Sequence, residues 1–335
     1  MEMQRVTIIG LGLIGGSVGL ALKKALKKAK VTGVELVGHD RDPETATGAK
    51  RRGAVDKTDW SLLRAVEKAS LVIVATPVMA VKEVFSQIAT VLPEGCVVTD
   101  TCSTKERVME WAGEYLPSTV NFVGGHPMAG KELSGIAAAD ANLFVGCTYC
   151  LVVPPDAHKD AVVVVTNMVE MIGATSHFLD AREHDGLVAG ISHLPALLSS
   201  ALVSAVSKAP SWREMSVLAA GGFRDVSRLA SSDPEMVNDV FCTNQDNILH
   251  WIDEYIKELG EFRRLVSECG EELRKQLGEA QQARDKWLAG PSEQPSYEMP
   301  GVAEQVAEQV AGLFMGERLA RRALGTLREE RKRTK

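Results

Sequence analysis

Over the first half of the chain, short apolar runs alternate with stretches of helical spacing. Arg5-Val-Thr-Ile-Ile-Gly10 is the first run, and a continuous apolar segment of that length predicts a strand buried on both faces. Residues 14–28 follow with a helical pattern that ends in lysines, which suit the negative end of a helix dipole. The alternation continues with strands at 34–39, 70–75 and 96–100 and helices at 43–52, 78–92 and 104–115. A further strand step leads into Phe122-Val-Gly-Gly125. The helix at 43–52 opens on Pro43, whose fixed φ and missing N–H fit a first turn. Strands and helices alternating at this spacing predict an α/β fold with a doubly wound parallel sheet.

Beyond residue 180 strand candidates become scarce. Helical stretches at 183–206 and 235–277 dominate, and residues 194–203 are apolar on every face, which implies burial on all sides, including against a second subunit. The division predicted is a sheet domain at 1–180, an all-helical substrate and dimerisation domain at 181–289, and a linker with an amphipathic tail helix at 290–335. Val302, Val306, Val310 and Leu313 form the stripe of that tail, and its basic end at 331–335 reads as solvated surface.

Composition narrows the class. A length of 335 residues suits two domains, and a net charge of −6 argues against nucleic acid as a partner. No apolar run looks long enough to span a bilayer, and Met1-Glu-Met-Gln-Arg5 enters a strand without a signal-peptide pattern. A cytoplasmic protein is predicted, with its six cysteines as thiols. Cys147-Thr-Tyr-Cys150 has redox or zinc-ligand spacing, yet it lies in a strand at 147–153 and has no second pair, so no metal site is predicted.

Gly10-Leu-Gly12-Leu13-Ile14-Gly15 stands where the first strand gives way to a helix. Gly10 permits the tight turn, Gly12 lets backbone approach a pyrophosphate, and Gly15 lets the helix pack closely. The helix N-terminus, including the amides of Leu13 and Ile14, then faces the phosphates. Asp40 ends the second strand 25 positions after Gly15, where a carboxylate accepts the adenosine ribose hydroxyls and repels a 2′-phosphate. That favours NAD. Arg41 beside it could offset the repulsion, which leaves NADP open, and a surface Asp40 without a ligand is the plainer alternative. Together these features define a Rossmann-type dinucleotide domain.

Three more segments follow strand ends, the edge at which such sheets bind ligands: Ala75-Thr76-Pro77, Thr99-Asp-Thr-Cys-Ser103-Thr-Lys105 and Gly124-Gly-His126-Pro-Met-Ala-Gly130. Thr76 and Pro77 are candidate cofactor contacts. The third segment presents one imidazole on a loop fixed by glycines and proline. With His193-Leu-Pro195 and Gly221-Gly-Phe-Arg-Asp225-Val-Ser-Arg228-Leu-Ala-Ser-Ser-Asp-Pro234, these strings occur in an order that resembles the prephenate/arogenate dehydrogenase family of tyrosine biosynthesis, over residues 6–277.

The resemblance implies oxidative decarboxylation of prephenate or arogenate by a homodimer joined through its helical domain. It implies that His126 takes the ring-hydroxyl proton, a task suited to an ordinary imidazole pKa near ~6.5. It gives Ser103 a bridging role between histidine, substrate and nicotinamide. A Ser103 that caps the helix at 104–115 is an alternative, and both can hold. Arg228 matches a carboxylate-binding arginine, with an exposed helix-end arginine as the plainer reading. His193 and Gly221 match substrate-pocket positions, with a buried structural His193 also open. His184 reads as a cap or a dimer contact. Val237 and Cys102 depart from the family pattern, in which tryptophan and glycine are common at those places. The segment after the helical domain is too short for an added regulatory domain. Prephenate is favoured over arogenate because no acidic side chain stands at Gly221–Gly222. A β-hydroxyacid dehydrogenase and a non-catalytic NAD sensor are the other readings.

Overall fold

The structure is a computed structural model that describes residues 4–290, so the predicted linker and tail helix lie outside the described residues. The sheet domain comprises β1 (Gln4–Ile9), α1 (Leu13–Lys28), β2 (Val34–His39), α2 (Pro43–Arg51), β3 (Lys57–Thr58), α3 (Leu62–Val66), β4 (Leu71–Val74), α4 (Val78–Ile88), β5 (Val97–Asp100), α5 (Glu106–Tyr115), β6 (Asn121–Pro127), β7 (Thr148–Val152), α6 (Lys159–Met171) and β8 (Thr175–Phe178). Its eight strands lie in the order β3-β2-β1-β4-β5-β6-β7-β8.

Successive side chains along a strand point to opposite faces, and two cores result. Val6 and Ile8 of β1 pack with Val18 and Leu22 of α1 and Val165 of α6. Ile9 of β1 packs on the other face with Phe85 of α4 and Val108 of α5. Side chains as completely buried as Ile8 and Phe85 each stabilise the fold by roughly 1.5–3 kcal/mol. The strand order reverses between β1 and β4, and the crevice at that switch point is where such sheets take ligands. Two strands depart from the expected parallel arrangement: β7 runs antiparallel to β6, pairing His126 with Cys150, and β8 lies parallel to β7. Cys147 and Cys150 are both free thiols.

Seven helices follow: α7 (Ala181–Val188), α8 (Leu194–Ser207), α9 (Trp212–Leu218), α10 (Gly221–Ser227), α11 (Pro234–Thr243), α12 (Gln245–Glu268) and α13 (Glu271–Leu288). The helix expected at 183–206 is interrupted by a π-helical turn at Ala189–His193. Pro195 explains the interruption: it has no N–H for the carbonyl four residues back, and its ring crowds that carbonyl, so the turn before it widens. Gly190 accommodates the wide turn against α12, since a Cβ there would lie 2.7 Å from the Trp251 ring.

The helix expected at 235–277 is likewise three helices. It breaks at Asn244, with φ −130°, and at Cys269, which adopts left-handed φ 50°. The short α9 and α10 carry too few periodic positions to have been foreseen. Contrary to the sequence expectation, the continuous helical stretch at 181–207 is long and apolar enough, by length and composition, to cross a membrane. It nonetheless carries the buried polar residues His184, Asp185 and His193.

Candidate active site

The turn from β1 into α1 is a backbone construction. Gly10 has φ +85°, and a Cβ on it would lie 2.5 Å from the Ala75 carbonyl oxygen. A Cβ on Gly15 would lie 1.9 Å from the Gly10 carbonyl oxygen. Gly12 differs: nothing lies within 4 Å of a Cβ built there. It occupies the N-cap of α1 without any side-chain cap, leaving the first-turn amides of Leu13, Ile14 and Gly15 free of side-chain partners. Open space over unfilled N–H groups at a helix N-terminus fits a dinucleotide pyrophosphate.

Asp40 is tied into this turn. Its Oδ2 accepts from the Leu11 amide at 2.7 Å and its Oδ1 from the Asp42 amide at 2.9 Å. The carboxylate therefore first holds the glycine turn. Arg41 beside it is exposed. Across the switch point Pro77 is the N-cap of α4, and Thr76 Oγ1 is buried with no partner among the described residues. An orphaned hydroxyl at this position also fits a bound dinucleotide.

His126, on β6, is buried beside the β5–α5 loop. Its Nδ1 lies 2.9 Å from His184 Nε2, and His184 Nδ1 lies 2.7 Å from Asp185 Oδ1. The ionised Asp185 only accepts, so His184 carries its proton on Nδ1 and offers Nε2 as acceptor. His126 then donates from Nδ1, and its Nε2 keeps a free lone pair. Burial, reinforced by the nearby Lys105 ammonium and by the repulsion that protonated His184 or His193 would add, holds the His126 pKa well below the usual imidazole value. The ordinary value expected from sequence is thus corrected: His126 is firmly neutral. His184, expected as a cap or dimer contact, is instead completely buried in this row.

Asp185 also caps α5, accepting from the Lys105 amide at 2.7 Å and the Glu106 amide at 2.9 Å. Ser103 is therefore not the cap; it lies half-buried, two residues ahead of the Lys105 N-cap. The loop holding Ser103 is anchored by Asp100, which accepts from the Cys102 amide at 2.8 Å and from the Gly125 amide at 3.0 Å. Lys105 Nζ completes a buried ion pair with Asp100. A Cβ on Gly125 would lie 2.5 Å from the Asp100 carbonyl oxygen, so β5 and β6 approach closely just before His126. Nothing in the sequence around Asp100 and Lys105 marks them for this anchoring role.

From the helical half, Arg228 forms an ion pair with Glu132, which follows the His126 loop. The predicted carboxylate binder thus already holds a carboxylate, which makes Glu132 a candidate site residue that the sequence did not single out. Its signal was an acid directly after Gly130-Lys131. His193 is buried, with its pKa lowered to about 4 by desolvation. Gly221 begins α10, with nothing within 4 Å of a Cβ built there, and is not drawn into the histidine cluster. Val237 lines a cavity of about 260 Å³ with Leu229, Ser232 and Phe241.

A dinucleotide cradle at the switch point with a neutral, buried imidazole beside it defines a nicotinamide-dependent dehydrogenase. Residues 18–178 match the family model for the prephenate dehydrogenase nucleotide-binding domain, and residues 180–279 match the one for its dimerization domain. Prephenate dehydrogenase of Bacillus subtilis (strain 168) is 37% identical over 292 residues, covering 85% of this chain and 77% of its own length. Among solved structures, prephenate dehydrogenase from A. aeolicus in complex with hydroxyphenyl propionate and NAD+ superposes with a TM-score of 0.77 at 30% identity, covering 85% of this chain and 98% of that one. Synechocystis arogenate dehydrogenase does so with a TM-score of 0.71 at 29% identity, covering 85% and 100%. The chain belongs to the prephenate dehydrogenase family.

Proposed function

We propose that this chain converts prephenate, carbon dioxide being lost, to 4-hydroxyphenylpyruvate with NAD as hydride acceptor, in tyrosine biosynthesis. The observation that carries the reading is the row His126–His184–Asp185 beside the dinucleotide cradle. Bound NAD+ supplies the acceptor for hydride from the ring carbon that bears the hydroxyl. His126 accepts the hydroxyl proton at Nε2 and returns it to the oxygen once loss of carbon dioxide has made the ring aromatic. Asp185, through His184, favours the positive charge that His126 gains in between. Substrate carboxylates add negative charge that favours the same protonated form.

The other roles belong to the same proposal. Ser103 joins the substrate hydroxyl to His126, held in place by the Asp100 anchor. Arg228 exchanges Glu132 for a substrate carboxylate, and His193 and Gly221 line the substrate pocket. Gly10, Gly12, Leu13, Ile14, Gly15, Thr76 and Pro77 hold the dinucleotide. Asp40 favours NAD over NADP, with the exposed Arg41 left outside its hydrogen bonds. Two copies pair through the helical half, where Ile191 and Leu218 are 73% and 82% exposed in the single chain. Such pairing accounts for the long apolar stretch at 181–207 without a bilayer, and a cytoplasmic location follows. The test is a set of steady-state rates with NAD or NADP and prephenate or arogenate. NAD with prephenate is expected to be the fastest pairing; absence of reduced nucleotide in all four overturns the proposal.

A further inference from the structure

Asn244 occupies the N-cap of α12 but makes no side-chain cap there. Asparagine at that position ordinarily accepts from a first-turn amide. Here the side chain is buried and committed elsewhere. Its Nδ2 donates to the Asp185 carbonyl oxygen at 2.8 Å and lies 3.1 Å from His193 Nδ1. Its Oδ1 accepts from Asn247 Nδ2 at 2.8 Å. The amide cannot be reversed, because Oδ1 would then face the Asp185 carbonyl, acceptor against acceptor. With its orientation fixed, Asn244 offers His193 a hydrogen, and His193 Nδ1 must be the acceptor. The proton of the neutral ring is then on Nε2, which is buried and has no partner among the described residues. An unfilled buried donor is costly and calls for an acceptor supplied by a ligand.

We infer that Asn244 is a positioning residue that locks His193 as an Nε2–H donor, so that the substrate group meeting His193 is an oxygen acceptor, as in a keto acid, and not an ammonium. The inference rests on the substrate-pocket role proposed for His193 and adds the residue that sets its tautomer. Asp185 then governs both rings: its carboxylate orients His126 through His184, and its carbonyl orients His193 through Asn244.

The experiment is long-range proton–nitrogen NMR on the full chain with 15N-labelled histidine, with His193 assigned by loss of its signals in His193→Gln. The free wild-type protein at pH 7 is expected to show His193 as the Nε2–H tautomer. An Nδ1–H tautomer overturns the inference, and this readout needs neither activity nor a stable variant. In Asn244→Leu, mixed tautomers are expected, with KM for prephenate raised roughly tenfold and kcat changed less. An unaltered tautomer together with an unaltered KM also overturns it. A wild-type Nε2–H signal from a protein inactive on prephenate would refute the proposed function while leaving the tautomer lock intact.

Discussion

The two halves of the candidate site are built from different materials. The dinucleotide cradle is main chain: three glycines within six residues, unfilled helix-terminal amides and one carboxylate that pins the turn. The proton-handling cluster is side chain, assembled from β6, α7, the π-turn and the start of α12, with three histidines held by Asp185 and Asn244. A main-chain site fails when a Cβ is added and tolerates changed side chains around it. A side-chain cluster tolerates small shifts of backbone and fails when one hydrogen-bond role is reversed. The two halves should therefore respond separately to mutation.

The largest separation is expected from His126→Asn. Turnover should fall by about 10²–10⁴-fold, the usual share of a general base. Dinucleotide affinity, measured by calorimetry, should stay at the wild-type value. Turnover near wild type would remove His126 from the chemistry.

Acidity comes next. His193 has a folded pKa of about 4, against ~6.5 when unfolded. Above pH ~6.5 both states are neutral and folding incurs no proton penalty. As pH falls from there toward 4, the unfolded chain takes up a proton that the folded one refuses. Stability is therefore lost over that window, by at most about 3 kcal/mol from this group. Urea midpoints measured across the window should show the loss, and His193→Gln should flatten the slope. A slope unaffected by that substitution would contradict the buried neutral ring.

Asp185→Asn should lower kcat by about 10²-fold, because the amide can present the wrong partner to His184 and cannot favour a charge on the row. Unchanged kcat would detach the row from catalysis. The smallest effect, and the sharpest contrast, concerns the glycines. Gly12→Ala should leave the melting temperature unchanged, since its Cβ enters open space, yet weaken dinucleotide binding by about tenfold where the pyrophosphate would approach. Gly15→Ala should lower both, because its Cβ meets the Gly10 carbonyl at 1.9 Å. Equal behaviour of the two variants would mean that Gly12 does not face a ligand.

The cradle was legible because its parts are neighbours in sequence. Gly10, Gly12 and Gly15 announce a turn whose geometry needs them, and Asp40 ends the next strand. His126 was legible through its rigid loop. Its partners were not, since His184 reaches it only when α7 folds against β6, and nothing within Glu183-His184-Asp185 distinguishes a helix cap from a buried row. Asn244 lay hidden inside a helical pattern that showed no break. Glu132 was visible as an acid, but its pairing with Arg228 joins positions 96 residues apart. An apolar pattern reads the same whichever way a strand runs, so periodicity could not give the direction of β7 and β8.

The π-turn at Ala189–His193 also sets angular phase. A regular α-helix advances about 100° per residue, so nine residues of it would carry His193 to the side opposite His184. The wider turn underwinds the chain, and both histidines enter one cluster around Asp185. Regular winding of the same nine residues would swing one imidazole away from the other, whereas removing one residue from the turn leaves eight regular steps and keeps the two within about 80°. The wide turn thus takes up one extra residue while both histidines keep to one side of the helix, and the setting depends on the residues that hold that turn open.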